Sequence, residues 1–349
     1  MQGKVILEYV FDVGGEVDLR QLQEKKFKKT PVAEKTLTKK YTDVGLNAVV
    51  FELGTTTVGS HTLRVFAEVY PIGEILIKFE RDIERHEEAQ ELVTRLETEE
   101  MHKMAQEVFS QMRRKIEPAM VNAYEYVEIV RAYAFLLFKG KPDRGEVWFT
   151  QLLRQVKKPS KQEISDCMRH SLSFEEHDLA VIDYMGAVVF DPEGDFGDIV
   201  DIINVALVQL IALRTYDTIL DKRVLKVYED MKGMTKRVGL IPSFGKTNKV
   251  VKDVAETKIM ISDMMEDIAN IIKISGDWYL ARVYGAASER FRLDGWLRNI
   301  VRKMGDLESI NVMLYEARDA ERASITNALM LIMETLIVVL IVFEIVIFF

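Results

Sequence analysis

The sequence predicts an α+β protein: N-terminal mixed α/β units, then a helical hairpin stalk, then one C-terminal transmembrane helix. Three observations lead to that class. Short β-branched and aromatic runs, punctuated by Gly and Pro, fill the first 80 residues and return near residue 180. From about residue 250 onward the pattern is helical, with apolar positions at heptad spacing. Ala328 to Phe349 is almost wholly apolar, and its only charged residues are Glu334 and Glu344.

An N-terminal α+β domain is expected over residues 1–120. Val5 to Val13 reads as a strand that stops at Gly14-Gly15. Residues 18–40 are polar and read as a helix with a solvated, lysine-rich face that includes Lys25, Lys29, Lys35 and Lys40. Leu46 to Leu53, Thr62 to Tyr70 and Glu74 to Glu80 read as three further strands. Asp82 opens a charged helix running to about Glu117, where Pro118 ends it.

A second α+β domain is expected over residues 121–235. Its first apolar run, Tyr124 to Phe138, fits a strand or a buried helix equally well. Leu179 to Asp183 and Ala187 to Asp191 flank Tyr184-Met185-Gly186 as a hairpin, 179–191. A helix follows, with Ile199, Ile202, Ile203, Leu207, Leu210 and Leu213 on one side.

Residues 236–324 are expected to form the stalk and residues 325–349 the anchor. In the stalk, Leu297, Ile300, Met304, Leu307, Asn311 and Leu314 fall on one heptad seam. That seam suits an antiparallel partner helix at Val250 to Ile274, and Asn311 would fix register or oligomer state.

The terminal run is long enough for a bilayer: 22 residues at about 1.5 Å each span roughly 33 Å. Its Leu, Ile, Val and Phe side chains favour insertion by roughly 5–10 kcal/mol in all, against roughly 2.5–3.5 kcal/mol for a carboxylate at the bilayer centre. Glu344 is close enough to the end to reach the far interface, and Glu334 and Glu344 are both expected to make polar contacts with neighbouring helices. Arg302, Lys303, Arg318 and Arg322 precede the segment, which places the soluble body on the cytoplasmic side of a single-pass protein.

Composition narrows the function. A 48% hydrophobic, 29% charged chain folds, and a net charge of −8 excludes a dedicated DNA binder. The single Cys167 excludes an intrachain disulfide framework and fits a reducing compartment. Gly239-Leu-Ile-Pro-Ser-Phe-Gly245-Lys246-Thr247 has five residues between its glycines where a phosphate loop has four. Asp191, Glu193 and Asp195 begin like a calcium loop, but Phe196 takes the glycine position and Ile202 the bidentate Glu position. Glu99 and His102 form one Glu-x-x-His element where a carboxylate-bridged metal pair uses two. No catalytic set, metal or cofactor is therefore expected.

The segment METLIVVLIVFEIVIFF, with Glu334 and Glu344 ten apart, resembles the end of the "required for meiotic nuclear division" family. The hairpin DLAVIDYMGAVVF and the helix at residues 198–220 also look like that family, and the resemblance covers about residues 124–349. It implies a membrane anchor and self-assembly, and brings no catalytic residues. The expected function is a non-enzymatic, tail-anchored membrane protein that self-assembles and acts as a scaffold or tether. Its partners are expected to be the lipid bilayer, further copies of the chain, and a cytosolic protein or ribonucleoprotein. Two rival expectations are an oligomeric ion channel with Glu334 facing the pore, and a nucleotide-binding enzyme using the 239–247 loop.

Overall fold

The strand at the centre of this protein, GKVILEYVFD, is buried on both faces from Val5 to Asp12, so layers cover it on both sides. The computed structural model describes residues 2–24, 32–36, 47–235, 251–259, 261–262, 265–266 and 277–348. The strands are β1 (Gly3–Asp12), β2 (Glu16–Val17), β3 (Val32–Thr36), β4 (Asn47–Val58), β5 (His61–Val69), β6 (Glu74–Ile83), β7 (Met120–Val121), β8 (Val130–Lys139), β9 (Ser171–Leu172), β10 (Leu179–Ile182) and β11 (Gly186–Asp191). The helices are α1 (Leu19–Glu24), α2 (His86–Val93), α3 (Glu99–Ile116), α4 (Glu146–Arg154), α5 (Lys161–Cys167), α6 (Gly197–Thr235), α7 (251–259), α8 (Trp278–Phe291) and α9 (Leu293–Phe348).

Among the described residues, nine strands form one sheet in the order β3-β4-β5-β6-β1-β8-β11-β10-β9, and β2 pairs with β7 apart from it. Neighbours are antiparallel except β8 and β11, which run parallel with Gly186 opposite Ala134. Odd positions of β1 (Val5, Leu7, Tyr9, Phe11) join a core with Leu92 of α2 and Met101 and Phe109 of α3. Phe11 and Phe109 stack at 4.5 Å, and each such fully buried ring contributes about 1.5–3 kcal/mol. Even positions face α6, where Asn204 Nδ2 donates to Glu8 Oε1 at 3.3 Å.

That second face carries a buried polar layer. Lys78 lies directly across from Glu8, with Nζ 3.2 Å from its carboxylate and 2.7 Å from that of Glu68. Burial pushes Glu8 up to about 7, against the pull of Lys78. Asp12 is pushed up to about 6 by burial, although the Tyr124 hydroxyl (2.6 Å) and the Gly14 N–H (2.8 Å) donate to it.

Contacts divide the chain into two units: Met1–Ile219 with Met264–Asn299, and Leu220–Asp263 with Ile300–Phe349. The expected boundary at residue 120 is thereby corrected. β1 pairs along its length with β8, so the proposed first and second domains share one sheet. In the second unit, Lys226 pairs with Asp253 (3.3 Å), Lys258 with Glu308 (2.9 Å) and Lys303 with Asp221 (2.6 Å), tying α6, α7 and α9 together. Three helices meet there, where a two-helix hairpin was expected.

Other expectations also change. The lysine-rich stretch contains α1 and then strand β3, not one helix; residues 25–31 and 37–46, with most of its lysines, lie outside the described residues. The helix expected from Asp82 to Glu117 is two, because β6 runs on to Ile83 and Thr98 caps a fresh start by accepting the Met101 N–H at 3.4 Å. The one-sided helix at 199–213 is buried on every side: Val205, Val208 and Ala212 are as covered as Ile203 and Leu207. It runs between the sheet and α8, whose Tyr284 hydroxyl donates to Gln209 at 2.7 Å.

Candidate functional site: an arginine-lined cleft and an uncovered helix

In the first unit a cavity of about 870 Å³ opens beside the β10–β11 turn, lined by side chains from α4, α5, α6 and the junction of α8 with α9. Its floor is an ion-pair lattice. Asp183, at the end of β10 and 1% exposed, accepts from Arg154 Nε (2.7 Å) and Nη2 (3.3 Å), from the Tyr184 N–H (2.7 Å) and from Arg290 Nη2. Asp166 accepts from Arg154 Nη2 (2.7 Å) and Arg290 Nη1 (3.1 Å), with Arg169 Nη2 also at 2.8 Å. Two arginines are thus clasped between two aspartates.

Local sequence rules set these positions. Ser160 caps α5 by accepting the Glu163 N–H at 3.2 Å, which starts the helix that carries Asp166. Asp277 caps α8 through the N–H groups of Tyr279 (2.8 Å) and Leu280 (3.0 Å). Arg292 ends α8 in the left-handed region (φ 57), and α9 begins at the next residue. Arg290 and Trp296 therefore stand on either side of one elbow.

The charges settle accordingly. The Arg154 hydrogen bond holds the Asp166 carboxyl down at about 2. Burial pushes Asp183 upward, but its bonds from Arg154, the Tyr184 N–H and Arg290 keep it below the usual carboxylate range. Burial, together with the charge of Asp183, pushes the neighbouring Cys167 thiol up to about 12, so it stays protonated and is a poor nucleophile. Burial also lowers His170, leaving a neutral imidazole at the cleft wall at pH 7.

The lattice does not use every cationic group. Arg290 Nε is buried with no hydrogen-bond partner. Arg214 and Arg292 line the same cavity, and among the described residues neither has a carboxylate at ion-pair distance. Arg131 lies 3.7 Å over the Tyr184 ring and donates to the Tyr184 carbonyl.

The second feature is the uncovered stretch of α9. Ile325–Ile345, 21 residues with mean hydropathy 2.6, has none of its residues buried within the molecule. Gly197–Glu229 in α6 also qualifies by length and composition to cross a membrane, at mean hydropathy 1.6, yet it is 83% buried. The contrast lies in coverage. Glu334 and Glu344 are both exposed on the uncovered stretch, and ten residues at about 100° each place them about 80° apart around the axis. They share a side of the helix without sharing a line.

Of the expected seam, Ile300 and Leu307 are buried and Met304 is half-buried within the second unit, while Leu297 is half-buried in the first. Ile310, missed by the heptad reading, is buried too. The side chains of Asn311 and Leu314, and the whole 239–247 loop, lie outside the described residues. Among the described residues no cluster of His, Cys, Asp and Glu is arranged to hold a metal ion. The cleft escapes a sequence reading because its arginines are scattered from Arg154 to Arg292. The hairpin signal places Asp183 at a strand end and Tyr184 in the turn, and marks neither as part of a site.

A family model described as "Uncharacterized protein MJ0711, N-terminal domain" matches residues 2–196. The uncharacterized protein MJ0711 of Methanocaldococcus jannaschii is 25% identical over 230 residues, covering 64% of this chain and 67% of that protein. No solved structure matches. The matched family region contains Arg154, Asp166 and Asp183 and stops before Arg214, Arg290 and Arg292.

Proposed function

We propose that this chain, which belongs to the family of the uncharacterized protein MJ0711 N-terminal domain, is a non-enzymatic membrane protein, anchored by α9, that self-associates and offers its folded body to partners in the cytosol. One observation carries the reading: Ile325–Ile345 is the most apolar long segment described, and none of the described residues covers it. Twenty-one residues span about 31 Å, which matches a bilayer core. In water such a stretch is an uncovered apolar surface far beyond what a soluble monomer carries.

Self-association follows from the acids. A carboxylate near the bilayer centre is stable when it faces another helix or water, and Glu334 has no such neighbour in its own chain among the described residues. A second copy of α9 supplies one. The resemblance to the "required for meiotic nuclear division" family, whose terminal segment has the same Glu spacing, supports both the anchor and the assembly. In this reading the helices of the second unit act as the stalk between body and bilayer.

Alkaline carbonate extraction tests the anchor. The full chain is expected in the membrane pellet, and a variant lacking residues 325–349 in the supernatant. A full chain that is monomeric in detergent-free buffer, or a truncated one that still sediments with membranes, overturns the reading.

A further inference from the structure

We propose that the cleft of the first unit binds a nucleoside phosphate, with Arg214, Arg292 and the Nε of Arg290 directed to the phosphate and Trp296 beside the base. Charge balance is the first ground. Five arginines line the cavity (Arg154, Arg169, Arg214, Arg290 and Arg292) against three carboxylates (Asp166, Asp183 and Glu289), and Asp166 and Asp183 are already engaged by Arg154 and Arg290, so the lining keeps a net positive charge. In a chain of net charge −8, a cleft with a surplus of this sign marks a place for an anion.

The second ground is an unmet donor. Arg290 has a side chain only 10% exposed, and its Nε–H finds no acceptor in the protein. A buried guanidinium N–H without a partner destabilises the fold, and an anionic oxygen removes that cost. Arg131 is under related strain, since burial and the nearby Arg214 both work against its charge. A phosphate beside Arg214 relieves the repulsion between the two.

Size and wall chemistry select the class. A cavity of about 870 Å³ is within the range of small-molecule sites and far larger than a lone phosphate or acetate requires. Trp296 and Leu210 give it an apolar wall, and the Tyr184 ring backed by Arg131 gives it a flat one. Guanidinium groups for phosphate and aromatic faces for a base are the pairing that nucleotides require. The same chemistry is offered by a free nucleotide and by one nucleotide of a single-stranded RNA. The cleft lies wholly in the first unit, so the inference stands or falls apart from the anchor.

The test uses the full chain in detergent, titrated with ATP, with a short single-stranded oligoribonucleotide and with inorganic phosphate, followed by calorimetry and tryptophan fluorescence. Saturable binding of ATP or of the oligonucleotide is expected, with inorganic phosphate competing only weakly. If ATP binds, the ligand is a free nucleotide; if the oligonucleotide alone binds, it is a strand of RNA. Arg214→Gln and Arg292→Gln should each weaken binding about tenfold. Both should leave the melting temperature unchanged, because neither arginine is ion-paired among the described residues. Trp296→Phe should abolish the fluorescence response. No saturable binding of either ligand up to about 1 mM, or undiminished binding by the Arg214→Gln/Arg292→Gln double variant, overturns the proposal.

Discussion

Asp183 shows how one side chain can order a region. It is almost wholly buried, it sits where β10 ends, and it receives two guanidinium groups from helices more than 100 residues apart in sequence. Neutralising it leaves Arg154 and Arg290 facing each other with only Asp166 between them. Asp183→Asn preserves the shape and removes the charge, and is expected to destabilise the first unit by about 3–5 kcal/mol. Chemical denaturation of the full chain in detergent measures this; a change below about 1 kcal/mol would show that the lattice is not what holds the turn. Nothing in the local sequence marks Asp183 as such a node. Asp-Tyr before a Gly reads as turn chemistry, and the arginines that complete the lattice have no fixed spacing to betray them.

At the scale of elements, strands were legible where β-branched runs met turn residues, as in β1, β5, β6 and the β10–β11 hairpin. β3 was hidden because its five residues, Val-Ala-Glu-Lys-Thr, sit among lysines and owe their conformation to pairing with β4. The undecided run before Phe138 becomes strand β8 because β1 and β11 flank it. That parallel junction is tight. A Cβ added at Gly186 lies 2.5 Å from the Ala134 carbonyl oxygen and 3.3 Å from Leu153 Cδ2. Gly186→Ala should therefore cost about 1–3 kcal/mol and lower the melting temperature by several degrees. Gly285→Ala, on α8 with open space at its Cβ, serves as the control and should be neutral or slightly stabilising.

At the scale of the whole molecule, the domain boundaries were the least legible feature, because the pairing of β1 with β8 joins segments separated by more than 100 residues and leaves no local trace. The balance of buried acids also belongs to this scale. Glu8 and Asp12 hold their protons more tightly folded than unfolded, so their contribution is complete below their ordinary values of 4.5 and 3.8. It is lost as pH rises through about 7 and about 6 respectively. Asp166 has the opposite sign: its contribution is present above its ordinary 3.8 and lost as pH falls towards about 2. Melting temperatures across the pH range should accordingly peak on the mildly acidic side, between about 4 and 6, and decline towards pH 8. Glu8→Gln should flatten the alkaline decline, and an unchanged profile in that variant would remove Glu8 from the account.

The greasiness of α6 has a consequence for how the protein is made. Its cover on one side is α8, which leaves the ribosome only after α6 has emerged. The 95 residues from Gly197 to Phe291 take roughly 5–20 s to translate. Throughout that interval a nascent segment as hydrophobic as many authentic spans is bare to insertion machinery, and its safe arrival in the interior depends on docking against the finished sheet before a translocon captures it.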